Sequence, residues 1–169
     1  MLVVGIDPGT AITGFGIIRQ TTSDQLEAIA YGVINTEPNL SFEKRLDRLY
    51  CQLETLLQRH RPESAAVEQL FFQKNVKTAL SVGQSRGVAL LALARANLPV
   101  AEYSPMQVKQ AVVGYGGADK NQVQQMVRVI LDLPDIPRPD DAADALAVAI
   151  CHLHHLRYAR LVNNSDHQV

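Results

Sequence analysis

Residues 2–19 read LVVGIDPGTAITGFGIIR, and the fold class follows from this stretch. Leu2, Val3, Val4, Gly5 and Ile6 make an apolar run of strand length, and Pro8-Gly9 punctuates it with a tight turn. Residues 12–19 resume with β-branched and aromatic side chains, and residues 26–34, LEAIAYGVI, do so again after the polar stretch Gln20 to Gln25. A strand followed by a hairpin is expected. Asp7 closes the first strand, and the proline after it biases Asp7 to an extended backbone. Its carboxylate should therefore stand at the carboxyl end of a strand, the edge at which open α/β sheets hold ligands.

Downstream, the period changes. From Ser41, a candidate N-cap, Leu46, Leu49, Tyr50, Leu53, Leu56 and Leu57 recur at helical spacing to about His60. After Arg61-Pro62, SAAVEQL predicts a short buried strand, residues 75–96 a long helix, and PVAEY another strand. Ser104-Pro105 opens one further helix and Asp119 caps a second, running to about Leu133. Pro134, Pro137 and Pro139 form a linker to a last helix, DAADALAVAICHLHHL, capped by Asp140 or Asp141. This order predicts an α/β domain around a mixed central sheet with helices on both faces, and it suggests a ribonuclease-H-like fold. A single domain over residues 1–158 is expected, with 159–169 a frayed tail.

With 47% hydrophobic and 20% charged residues the chain falls in the ordinary globular class. Cys51 and Cys151, far apart with no secretory leader, make no disulfide framework, and a reducing cytoplasm is expected. The longest apolar runs, Val88 to Ala94 and Ala145 to Cys151, are too short for a membrane span. A formal net charge of -1 hides an uneven distribution. Residues 1–73 hold six basic and nine acidic side chains, residues 74–128 seven and two, and residues 129–169 three and six. A basic middle between acidic flanks suits a metal site beside a phosphate-binding surface, and it equally suits an uneven solvated surface.

Four acidic residues stand out. Asp7 ends a buried strand, although a DPG tripeptide also simply opens turns. Glu68 ends the apolar run Ala65, Ala66, Val67, where an unpaired charge is costly and a cation would remove the cost; an ordinary surface Glu is the plainer reading. Asp141 and Asp144 lie one turn apart on one helix face, within reach of one metal. Asp140 is better read as a capping residue. Hard divalent cations such as Mg²⁺ take oxygen ligands, and two of them about 4 Å apart can clamp a scissile phosphate. Asp7 would bridge such a pair. A zinc site at Cys151, His152, His154 and His155 lacks a second ligand pair and is expected at a solvated helix end.

With those residues assembled, the chain resembles the RuvC family of Holliday junction resolvases over nearly its whole length. GIDPGT at 5–10, EQLFFQKN at 68–75, GQSRG at 83–87, QVKQAVVGYGGADKNQV at 107–123 and DAADALAVA at 141–149 are similar to that family's successive motifs. The resemblance implies a metal-dependent endodeoxyribonuclease whose two Mg²⁺ ions, with Mn²⁺ a possible substitute, are held by Asp7, Glu68, Asp141 and Asp144. Some relatives carry His at the position of Asp141. The resemblance also implies phosphate contacts from Lys109 and Lys120, base stacking by Phe71 or its neighbour Phe72, and further DNA contacts from Lys74, Asn75 and Arg86. It implies a homodimer acting on four-way junction DNA with the RuvA and RuvB branch-migration proteins. Residues 76–96, rich in small and aliphatic side chains with Gly83 and Gly87 permitting close backbone approach, suit such a dimer, and packing on the protein's own sheet explains them equally well. The competing readings are an ATPase or phosphotransferase of the actin, sugar-kinase and Hsp70 group, which needs two lobes, and a catalytically silent junction-binding protein or an RNA-directed nuclease of the same fold.

Overall fold

The computed structural model describes residues 1–69 and 76–165. Strands β1 (Leu2–Asp7), β2 (Ile12–Gln20), β3 (Leu26–Asn35), β4 (Ser64–Glu68) and β5 (Val100–Tyr103) form a sheet in the order β3-β2-β1-β4-β5. β1 pairs antiparallel with β2, and β2 with β3, while β4 runs parallel to both β1 and β5. The expected mixed sheet is thus present, with the hairpin on one side and the crossover strands on the other.

The pleat decides which residues face which layer. Val4, Ile6, Ala65 and Val67 pack against α1 (Phe42–His60) and α2 (Val76–Arg95), where Leu49, Leu53, Leu57, Ala89 and Leu93 complete one core. Val3 and Ala66 face the opposite layer, made by α3 (Pro105–Val113), α4 (Lys120–Ile130) and α5 (Asp140–Ser165). Burying each of the larger side chains contributes about 1.5–3 kcal/mol. By the period of two, Gly5 and Asp7 fall on the side of Val3, and Glu68 on the side of Ala66. Both strand-end carboxylates therefore face α5.

Ser104 and Asp119 cap α3 and α4 as expected, each in a reciprocal box with Gln107 and Gln122. Ser41 occupies the N-cap position of α1 but makes no capping bond; its hydroxyl donates to Glu43. Several boundaries differ from expectation. β4 ends at Glu68, and α4 ends at Ile130 with Leu131 as its cap. α5 starts at Asp140, so Asp140 and Asp141 lie in its first turn and neither is the cap. It continues to Ser165 instead of fraying near Ala159, because Ala159, Arg160 and Leu161 are good helix formers. The Cys151 to His155 cluster is a second correction: His154 and His155 are exposed, but Cys151 and His152 are buried. Among the described residues no helix is long and apolar enough to cross a membrane.

Candidate active site

Asp7 sits at the end of the central strand β1, and Glu68 at the end of its parallel neighbour β4, where Ile6 pairs with Val67. What brings α5 over them is the absence of side chains beneath it. Gly14 pairs with Asp7 across the β1–β2 ladder, and a Cβ on Gly14 would stand 2.0 Å from the Asp141 carbonyl oxygen. A Cβ on Gly5 would likewise meet the Ala145 carbonyl at 2.3 Å. Helix backbone therefore lies directly on strand backbone, and Asp141 and Asp144 project beside Asp7 and Glu68.

Three of these carboxyl groups, Asp7, Glu68 and Asp144, are held above the ordinary carboxylate range. Asp7 is pushed up to about 8, first by burial and then by Glu68, Asp144 and Asp141. Its hydrogen bond with Glu68 raises Asp7 and lowers Glu68, so Asp7 is the member of the pair that keeps the proton. Glu68 is still raised overall, by burial and then by Asp144, against the opposing pull of Lys109 and Lys120. Burial raises Asp144 as well, more than Lys120 beside it can offset. Among the described residues no three His, Cys, Asp or Glu side chains stand ready as a finished metal cage. The donor set nevertheless fits a hard cation, being all oxygen and carrying raised carboxyls that positive charge would relieve.

Beside the carboxylates lies a cleft of about 260 Å³ lined by Glu68, Asp144, Lys109, Lys120, Pro105, Val108, Val123 and Ala147. Lys120 Nζ lies 3.0 Å from Asp144 Oδ2 and 3.6 Å from Asp140 Oδ2. Burial pulls the Lys120 ammonium down, but Asp144 and Asp140 outweigh it and hold its pKa above the ordinary lysine value. A larger, mainly apolar cavity of about 640 Å³ lies between α3, Tyr115 to Gly117 and the far part of α5. It contains none of the four carboxylates, whereas the smaller cleft is lined by Glu68 and Asp144.

The family model described as crossover junction endodeoxyribonuclease RuvC matches residues 3–152. This chain belongs to the RuvC family. It is 55% identical to the RuvC of Pelotomaculum thermopropionicum over 160 residues, covering 95% of this chain and 97% of the relative. The RuvC of Heliobacterium modesticaldum is 58% identical over 158 residues, with coverage of 94% and 97%. A solved structure of Thermus thermophilus RuvC superposes with a TM-score of 0.86 at 39% identity, covering 94% of this chain and 97% of that one. T. thermophilus RuvC in complex with a Holliday junction substrate gives a TM-score of 0.89 at 40% identity, with coverage of 94% and 96%. The ribonuclease-H-like expectation is met, and the family name is that of an enzyme.

In this RuvC-family chain the structure gathers Asp7, Glu68, Asp141, Asp144, Lys109 and Lys120 around one strand edge. Arg86 lies on α2, with Nε donating to the Glu68 carbonyl oxygen at 3.2 Å. Phe71, Phe72, Lys74 and Asn75 lie outside the described residues. Two contributors escaped the sequence reading. Gly14 sets how near Asp141 comes, and alternating small residues in β2 facing a small-residue helix were the available signal. Arg45 ties down the turn after Asp7: it donates to the Thr10 carbonyl at 3.0 Å and to Thr36 Oγ1 at 2.9 Å. Nothing local in the sequence marks that contact.

Proposed function

We propose that this RuvC-family enzyme resolves four-way DNA junctions in recombination and repair, by paired symmetric hydrolysis that leaves 5′-phosphate and 3′-hydroxyl ends. The observation that carries the reading is the gathering of Asp7, Glu68, Asp141 and Asp144 at one strand edge, with Asp7 pushed up to about 8. Carboxyl groups stressed in this way suit two Mg²⁺ ions, with Mn²⁺ as a substitute, held by these four residues. When bound, such a pair supplies an activated attacking water and charge stabilisation at the departing oxygen. Lys109 and Lys120 hold phosphate oxygens in the adjoining cleft, Lys120 exchanging its Asp144 contact for the substrate. Phe71, Lys74 and Asn75 are proposed as further DNA contacts from the motif they share with the family.

A junction has two strands of like polarity to cut, and a homodimer would present two sites. Leu80, Gly87 and Leu91 fall on one face of α2; Leu80 and Leu91 are exposed, and a Cβ at Gly87 would meet nothing within 4 Å. That stripe supports a dimer through α2. RuvA and RuvB are the proposed partners and the cytoplasm the proposed compartment.

The test separates binding from cutting. Asp7→Asn is expected to abolish Mg²⁺-dependent cleavage of a DNA junction while binding it like the wild type; retained cleavage would remove Asp7 from the metal set. Lys120→Ala is expected to slow cleavage and to lower the salt dependence of binding by about one phosphate contact. Unchanged rate and salt slope would make Lys120 a bystander. RNA junctions and plain duplexes, run alongside, establish the substrate.

A further inference from the structure

We infer that Arg86 is a positioning residue for Glu68 and not a DNA contact. The inference rests on the nuclease reading above. Its guanidinium is already engaged on two sides: Nε donates to the Glu68 carbonyl oxygen at 3.2 Å, and Nη2 donates to the Glu102 carboxylate. The Arg86 side chain is only 17% exposed, although α2 also carries the exposed side chains Leu80 and Leu91. Glu102 stands opposite Val67 in the β4–β5 ladder, and Gln69 N–H donates to the Tyr103 carbonyl at 2.8 Å. The end of β4 is therefore held by β5 and by Arg86, which bridges the Glu68 carbonyl and Glu102 on β5.

The geometry requires a planar fork. One edge of the guanidinium meets a backbone carbonyl while another meets a carboxylate, an arrangement a lysine ammonium cannot reproduce. A phosphate reaching Arg86 would compete with the Glu102 carboxylate for the guanidinium and approach against its negative charge. Holding the Glu68 backbone fixes where its carboxylate stands relative to Asp7, as groups behind a metal ligand do when they orient it. Since α2 also carries the exposed stripe at Leu80 and Leu91, Arg86 links the proposed dimer face to the active site.

The test compares wild type with Arg86→Lys, which keeps the charge and loses the fork, and with Arg86→Ala. Three quantities are read: junction affinity in EDTA, the Mg²⁺ concentration giving half-maximal single-turnover cleavage, and the rise in melting temperature caused by Mg²⁺ without DNA. For Arg86→Lys the expected result is unchanged junction affinity, with a Mg²⁺ midpoint raised about 10-fold or more in cleavage and raised in the melting series too. Arg86→Ala should move the same two quantities further. Loss of junction affinity in Arg86→Ala, kept by Arg86→Lys, with an unmoved Mg²⁺ midpoint would overturn the inference in favour of a DNA contact. Wild-type behaviour of both variants would overturn it outright. If the wild type itself failed to cut, the nuclease reading would fall, and the Mg²⁺ melting series would still judge Arg86 by the same shift.

Discussion

Gly14 stands directly across from Asp7 and directly beneath Asp141, so one added methyl group tests how the site is assembled. Gly14→Ala should push the start of α5 off the sheet, costing about 1–3 kcal/mol of stability. Cleavage should fall on the order of 100-fold, because a displacement of about 1 Å is enough to misplace reacting groups. Denaturant unfolding and single-turnover cleavage measure the two effects, and wild-type cleavage by this variant would mean that α5 is free to adjust. Asp7 yields a prediction of opposite sign. A carboxyl raised from 3.8 to about 8 weakens the metal-free protein as pH rises through that interval, since the unfolded chain ionises freely. In EDTA at neutral pH, Asp7→Asn should therefore raise the melting temperature on the order of 5 °C, and added Mg²⁺ should stabilise the wild type more than the variant. A variant that melted lower than wild type in EDTA would show that Asp7 is well satisfied without metal. The four acidic positions were legible because each sits at a strand end or in an otherwise apolar helix. Gly14 was not, because its role is a contact with a helix far along the chain.

Helix α5 shows what pattern reading can and cannot reach at the scale of an element. Its small-residue face was legible in AADALAVA, and so was its packing on the sheet. The environment of His152 was not. The ring is buried, with Nε2 3.0 Å from Ser64 Oγ on β4 and Nδ1 3.0 Å from the Tyr103 hydroxyl on β5. Its partners come from strands distant in sequence, so a histidine among exposed histidines looked solvated. Burial, and then His155, lower His152 to about 4, while burial pushes Tyr103 up to about 12. The hydroxyl therefore stays protonated, and the neutral ring exchanges one hydrogen bond with Tyr103 and one with Ser64. The folded ring stays neutral while the unfolded ring takes its proton at the ordinary 6.5, so this contribution is complete above pH 6.5 and drains away as pH falls toward 4. About 2 kcal/mol should be lost over that window after allowing for solvent near the ring. An NMR titration of His152 checks it, and a ring that protonates near 6.5 would contradict the buried network. The caps at Ser104 and Asp119 were readable because a capping box is contained within four consecutive residues.

For the whole molecule, charge along the chain was a partial guide. The basic middle segment does border the cleft through Lys109 and Lys120, but Arg86 is paired with Glu102, and Lys120 rests on Asp144. A count of charges cannot distinguish a cation that is free for phosphate from one already engaged within the fold. Assembly is tested on α2: Leu80→Glu with Leu91→Glu should give a monomer by sedimentation that still folds, because both side chains are exposed in the single chain. Such a monomer should lose coordinated cutting of the two strands, and a double variant that remained dimeric would place the interface elsewhere. The most direct test of the central claim maps the cuts made in a labelled synthetic four-way DNA junction with Mg²⁺, with EDTA, and with Asp7→Asn. Paired, symmetric nicks that appear only when both the metal and Asp7 are present are the expected result. Junction binding with no cutting under any metal condition would contradict it.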